Sequence, residues 1–333
     1  MSARALPWMR QGGVTPAARR RFWRQTGIAY LYLAPAILLL TVFQFFPAVY
    51  AFYISLFRWD IVQGRFLGLE NYQRLATDEA FWSSLGVTVW YVLLAIPAEM
   101  VLGLGIAYLL FQPIRGRIAY RTAYFLPYIT STVAAAIVWR WIYNPNNGLL
   151  NGILASLGLP MSQWLGESSG VFALLLASAG IALPEGLGWL GGPSVAMVAV
   201  ALMSVWHYTG FHIVIFLAGL GGISKELYEA ARMDGANEWQ VFRRITLPLL
   251  SPTTFFLLTV STIGALQAFS QIYVMTNGGP QDTTRTVLML VFKTFYQQTR
   301  LGYGSAIAFV LTGMILALTL VNFRLVGRRV HYE

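Results

Sequence analysis

The chain has 333 residues, 57% hydrophobic and only 11% charged, with a net charge of +10. Apolar runs near twenty residues recur, each long enough to cross a hydrocarbon core of about 30 Å at about 1.5 Å per residue, so the class is a polytopic all-α membrane protein rather than a soluble domain. Cysteine is absent, which excludes disulfides and thiolate metal sites, and the excess charge is a matter of membrane topology rather than a nucleic-acid footprint.

In chain order, residues 1–28 form a basic tail with Arg4, Arg10, Arg19, Arg20, Arg21 and Arg24 and no acid. A signal peptide begins this way, but the apolar run that follows is too long and lacks a clear cleavage site. The tail is read as cytoplasmic, with Arg19 to Arg24 at the lipid headgroups. The first span covers 29–57, with Tyr30, Tyr32, Tyr50 and Tyr53 near its ends, and 58–85 is mixed in charge. The second span, 86–111, contains Pro97, expected to kink it, and Glu99, the only acid placed at hydrocarbon depth. Such a residue should face a bundle interior or water, which makes Glu99 a functional candidate; it reads equally as a glutamate hydrogen-bonded to a neighbouring helix. The third span, 122–142, carries Pro127 and the small-residue patch Ser131 to Ala136, suited to close helix packing.

Residues 143–192 are irregular and read as an extracytoplasmic insertion, in which Trp164-Leu165-Gly166 recurs as Trp189-Leu190-Gly191. Its apolar run Val171 to Leu183 has 13 residues, a reach of about 20 Å as a helix and short of a crossing. The fourth span, 194–219, holds Trp206, His207, Tyr208, Gly210, Phe211 and His212 near its middle. His207 and His212 are five apart and do not share a face as a pair four apart would, so packing or substrate contact is favoured over a metal. A polar loop, 220–250, precedes the fifth span, 252–275, whose polar side chains are Ser261, Gln267, Ser270 and Gln271. The turn Thr276 to Pro280, residues 281–302, a sixth span at 303–325 and a tail at 326–333 complete the chain. With both termini cytoplasmic, sixteen of the 23 lysines and arginines fall on inner segments and seven on outer ones, the bias expected of that orientation.

The loop reads as two short helices. Ser224 can cap the first, with Glu226 and Glu229 near its positive end, and Asp234-Gly235 closes it. Asn237 starts the second with Gln240 as in a capping box, Pro248 stops it, and Ser251-Pro252 starts the next helix as cap and first-turn proline. Glu229, Ala230 and Ala231, then three residues, Gly235, nine residues, Ile245, one residue, and Leu247-Pro248 fill every fixed position of a known pattern. This stretch resembles the Glu-Ala-Ala coupling loop of permease subunits of ATP-binding-cassette (ABC) importers. Leu67 to Leu75 with its Gly-Leu-Glu-Asn-Tyr run, Asn144 to Pro160, and Asn277-Gly278-Gly279-Pro280 are similar to the sugar-permease branch, of the maltose and glycerol-phosphate type.

The resemblance implies a type I importer permease fold of six transmembrane helices in the cell membrane. It assigns Glu229, Ala230, Ala231, Asp234, Gly235, Ile245, Leu247 and Pro248 to ATPase coupling. It also implies a second homologous permease, an ABC ATPase dimer carrying ATP and Mg, an extracytoplasmic sugar-binding protein and a carbohydrate substrate. Tyr208, Phe211, Ser261 and Gln267, with Glu99, are the candidates for the substrate path; Tyr208 and Phe211 read as sugar-stacking walls or as bundle core. Phosphate-cradling, hydrolase and metalloprotease motifs are missing, so no catalytic or metal residue is expected and no cofactor on this chain. The competing class is an ion-coupled secondary transporter or channel without an ATPase, which would be expected to show paired charges in its spans or an internal repeat of broken helices.

Overall fold

A computed structural model describes residues 16–181 and 191–325 and divides into two units, 1–54 and 55–333. Arg4, Arg10, Trp189 and Leu190, singled out above, and the tail at 326–333 lie outside the described residues. The first unit is helical: α1 (Pro16–Leu40) passes through one wider π turn, Thr41–Phe45, into α2 (Phe46–Ser55). Its large apolar side chains, among them Leu31, Leu38, Phe43 and Phe46, are exposed, as on a helix solvated by hydrocarbon.

The second unit opens with a two-stranded antiparallel hairpin, β1 (Phe57–Trp59) and β2 (Gln63–Phe66), so the chain is not purely α-helical. The edge-to-face rings of Phe57 and Phe66, 5.1 Å apart, hold the pair, an arrangement whose β propensity the charged residues around it obscure in the sequence. Asn71 of α3 (Glu70–Ala76) fastens the chain behind it, donating to the carbonyls of Ser55 at 2.8 Å and Phe57 at 3.0 Å.

α4 (Glu79–Phe111) starts earlier than the span at 86, because Asp78 caps it by accepting from the Ala80 N–H at 2.9 Å; it continues unbroken through Pro97. The third span is two helices, α5 (Arg117–Ile129) and α6 (Thr132–Ile142), bent by 96°. Thr130 and Ser131 leave the helix for extended backbone, and the Thr130 hydroxyl donates to the Pro127 carbonyl at 2.6 Å. In the irregular region α7 (Leu149–Ser156) and α8 (Val171–Ser178) have 8 residues each, so α8 is shorter than the apolar run that contains it and neither helix can cross.

α9 (Val195–Gly222) is the most buried long helix of the unit and packs on both α4 and α5. Glycine makes these approaches possible. A Cβ on Gly103 of α4 would lie 2.5 Å from the His212 Cβ, and one on Gly210 would lie 2.4 Å from the Tyr124 carbonyl oxygen.

α10 (Lys225–Met233), α11 (Glu238–Val241) and α12 (Leu247–Leu249) make up the polar loop, and α13 (Ser251–Leu266) leaves it at a 62° bend. The fifth span is not one helix to 275. It breaks at Gln267–Phe269 and resumes as α14 (Ser270–Met275), and the Thr286 hydroxyl donates to the Ala268 carbonyl freed by the break, at 3.2 Å. Residues 281–302 contain a short apolar helix, α15 (Val287–Phe292), extended by a π turn, Lys293–Gln297, before α16 (Leu301–Leu325). Among the described residues, four helices are long and apolar enough to cross a membrane, or up to six segments if each bent pair is one span.

Candidate functional site

Glu99, Tyr208, Phe211, Ser261 and Gln267 all line one cavity of about 290 Å³. α4 brings Glu99, α9 brings Tyr208 and Phe211, α13 brings Ser261, and Gln267 stands where α13 breaks. The interruptions of helix that span-length reasoning missed form much of this lining: Tyr128 and Thr132 flank the α5–α6 bend, Ala268 and Phe269 lie in the break before α14, and Ser270 and Gln271 open α14.

Aromatic rings make one part of the lining. Tyr128 stacks on Phe211 with ring centroids 5.1 Å apart at 28°, and meets Tyr208 edge-on at 6.4 Å. Both Tyr208 and Phe211 are half-buried, packed on Tyr128 while still facing the cavity. Polar groups make the rest. The Nδ1 of His212 lies 3.0 Å from the Tyr208 carbonyl, which only accepts, so Nδ1 donates. In the neutral ring Nε2 then accepts from the Ser261 hydroxyl at 2.8 Å. Gln271 donates to the Tyr91 hydroxyl at 2.8 Å, which donates to the Ser204 hydroxyl at 2.9 Å. Glu99 is 5% exposed, and its Oε2 lies 3.8 Å from His212 Nε2, beyond hydrogen-bond reach.

His207 does not line the cavity itself, but its Nε2 lies 3.1 Å from the hydroxyl of Thr132, which does, and no cluster of three His, Asp or Glu able to hold a metal occurs among the described residues. Sequence reasoning did not single out Tyr128 or Thr132. The signal was Pro127 followed by Thr130-Ser131, a helix-ending combination inside an apolar run.

The second candidate is the bent helix pair of the polar loop. Gly235 takes φ +79°, and the N–H groups of Ala236 and Gly235 close back on the carbonyls of Ala231 at 3.0 Å and Arg232 at 3.1 Å, a Schellman end to α10. Asn237 and Gln240 form a reciprocal capping box at the start of α11, both bonds 2.9 Å. Arg232 reaches across the bend to Glu238, Nη2 to Oε1 at 3.0 Å.

Three local expectations are corrected. The Ser224 hydroxyl donates to the Glu226 carboxylate instead of capping the backbone, the acid being the stronger acceptor. Pro248 does not stop the helix: a π turn at Phe242–Thr246, closed by the Leu247 N–H on the Phe242 carbonyl, widens the backbone just before the proline. The helix ends at Leu250, which takes the cap position expected for Ser251.

Glu229 lines a groove of about 550 Å³ with Tyr108, Phe111 and Gln112 at the end of α4. Ala230, Asp234, Gly235 and Leu247 are exposed, whereas Ala231, Ile245 and Pro248 are half-buried. Met233 and Trp239, 88% and 65% exposed, stand out beside them as large apolar side chains that the sequence pattern did not single out.

Comparison with known proteins decides the family. Residues 87–331 match the family described as "Binding-protein-dependent transport system inner membrane component". The chain belongs to this family. It is thus an inner-membrane transport component, with apolar helices suited to that place. A relative in the family is the trehalose/maltose transport system permease protein MalF of Thermococcus litoralis, 34% identical over 308 residues, 92% of this chain and 95% of that protein. Another is the sn-glycerol-3-phosphate transport system permease protein UgpA of Agrobacterium fabrum, also 34% identical over 308 residues, 92% of this chain and 96% of that protein. In fold, the chain is similar to a chain of a bacterial alginate ABC transporter crystallised with an alginate pentasaccharide-bound periplasmic protein, with a TM-score of 0.76, 20% identity, and 92% and 96% of the two chains covered.

Proposed function

We propose that this chain is one of two permease halves of an ATP-driven carbohydrate importer. The bent pair α10–α11 couples it to a separate ATPase dimer, where ATP and Mg bind. An extracytoplasmic sugar-binding protein delivers substrate, and the cavity between α4, α9 and α13 forms part of its path through the membrane. The pair α5–α6 serves as one span and α13–α14 as another, giving six crossings with both termini cytoplasmic, residues 220–250 inside and the 143–192 insertion outside. ATP-driven closure of the ATPase dimer biases a two-state bundle by differential binding at the coupling loop.

The observation that carries this reading is the exposed bend itself. Asp234 and Gly235 lie on the surface between Met233 and Trp239, two large apolar residues at which a partner groove could exclude water. The family membership and the sugar-transport names of the relatives supply the cargo class. The test is Gly235→Asp, or deletion of residues 229–235, in the assembled transporter. Membrane insertion is expected to persist, while ATPase co-purification or substrate-stimulated hydrolysis falls by roughly tenfold or more, the size of one central contact of about 1.4 kcal/mol. Coupled transport at the normal rate in such a variant, or ion-driven uptake by the lone chain, would contradict it.

A further inference from the structure

The cavity's polar groups differ in how fully they are engaged. Tyr91 and Gln271 bond to each other, and His212 is held between Ser261 and the Tyr208 carbonyl. The Glu99 carboxyl has no hydrogen bond among the described residues, although it is 5% exposed and borders the cavity. A buried acceptor left without donors costs free energy until something in the cavity supplies them. Among the described residues the lining also contains no lysine or arginine, so a buried phosphate, sulfonate or carboxylate would meet a carboxyl and no countercharge from them.

We propose that Glu99 is a specificity-determining residue that accepts hydroxyl donors of an uncharged sugar or polyol and turns anionic sugars away. The chemistry is complementary on both faces. Two neighbouring hydroxyls present paired donors to the two oxygens of one carboxyl. The apolar face of a sugar ring fits the Tyr128–Phe211 stack that borders the same space. At about 290 Å³ the cavity is near the lower end of small-molecule sites, matched to one or two sugar rings rather than a long chain. An amino sugar, whose ammonium pairs with a carboxylate, belongs to the accepted class. The inference rests on the cavity being part of the substrate path and adds the charge class of what passes.

The test uses the assembled transporter in nanodiscs, without the binding protein, so that selection by that protein does not enter. Saturation-transfer NMR measures binding of maltose, lactose and glucosamine against glucuronate and glycerol 3-phosphate. Wild type is expected to bind the first three and to bind the two anions at least tenfold more weakly. Glu99→Ala should weaken maltose binding roughly tenfold, the loss of one or two hydrogen bonds to the carboxyl. Glu99→Gln keeps the shape and one acceptor, and with Gln267→Arg added it should raise the affinity for glucuronate relative to maltose. Where Glu99→Ala fails to assemble, the neutral-to-anionic ratio in Glu99→Gln carries the test, because a packing role would weaken all probes alike. Saccharide binding that ignores both Glu99 variants, or glucuronate binding as tight as maltose in wild type, overturns the inference and leaves the path intact. Absence of binding by every probe overturns the inference together with the path.

Discussion

Gly210 and Gly235 require glycine for opposite reasons. At Gly210 the backbone is ordinary but a Cβ would sit 2.4 Å from the Tyr124 carbonyl oxygen, against rigid backbone of α5. At Gly235 nothing lies within 4 Å of a Cβ, and the demand comes from φ +79° alone. Gly210→Ala must therefore push α5 from α9 and should cost about 1–3 kcal/mol, the range for overpacking, lowering the melting temperature of the whole bundle. Gly235→Ala should cost about 1–2 kcal/mol and only locally, visible as faster hydrogen exchange in α10 and α11 with an unchanged melting temperature. Equal effects of the two substitutions would refute the distinction. The Gly235 turn was legible in the sequence because Asp-Gly after a helical run has one good conformational explanation. Gly210 was legible only as a small residue, since nothing in its neighbours names the helix it touches. Glu99 was legible as an oddity at hydrocarbon depth, but its lack of hydrogen-bond partners depends on where His212 and Ser261 lie in space.

Span length located most of the long helices and failed where an apolar run breaks without glycine or proline. Gln267-Ala268-Phe269 offers no such signal, and the break between α13 and α14 is stabilised from a distance by Thr286. That hydroxyl also accepts from the Met289 N–H at 3.4 Å, so one residue holds both the broken carbonyl and the start of α15. Thr286→Val keeps the volume and removes both bonds. It should cost about 1–3 kcal/mol for the buried groups left unpaired, and a cysteine introduced at Gln267 should react faster with thiol reagents in that background. Unchanged reactivity would mean that the break is held by something other than Thr286. The α5–α6 bend had a partial signal in Pro127 and Thr130-Ser131, and the 281–302 helix was hidden by its short length. The π turn before Pro248 was not legible at all, because a proline read locally says only that an α-helix should stop.

At the scale of the whole molecule, a cavity built from α4, α9 and α13 and an exposed bent pair at α10–α11 belong to one connected unit. α9 links them directly: it carries Tyr208, Phe211 and His212 at the cavity and ends at Gly222, just before α10. α13 gives a second link, from the 62° bend after the loop to Ser261 and the break at Gln267. A displacement of α10–α11 by a partner is thus delivered to two walls of the cavity through helices, which is the physical content of coupling here. Family and loop pattern were readable because they depend on residue order, whereas the cavity lining depends on two helix breaks that order alone did not reveal.

The chain has no cysteine, so Met233→Cys places a single thiol on the exposed side of the bend without further engineering. A membrane-impermeant maleimide should modify it in inside-out vesicles and not in intact cells, and should be blocked when the ATPase is bound. Labelling from outside intact cells would put the bend on the wrong side of the membrane for any nucleotide-driven partner and would contradict the coupling role.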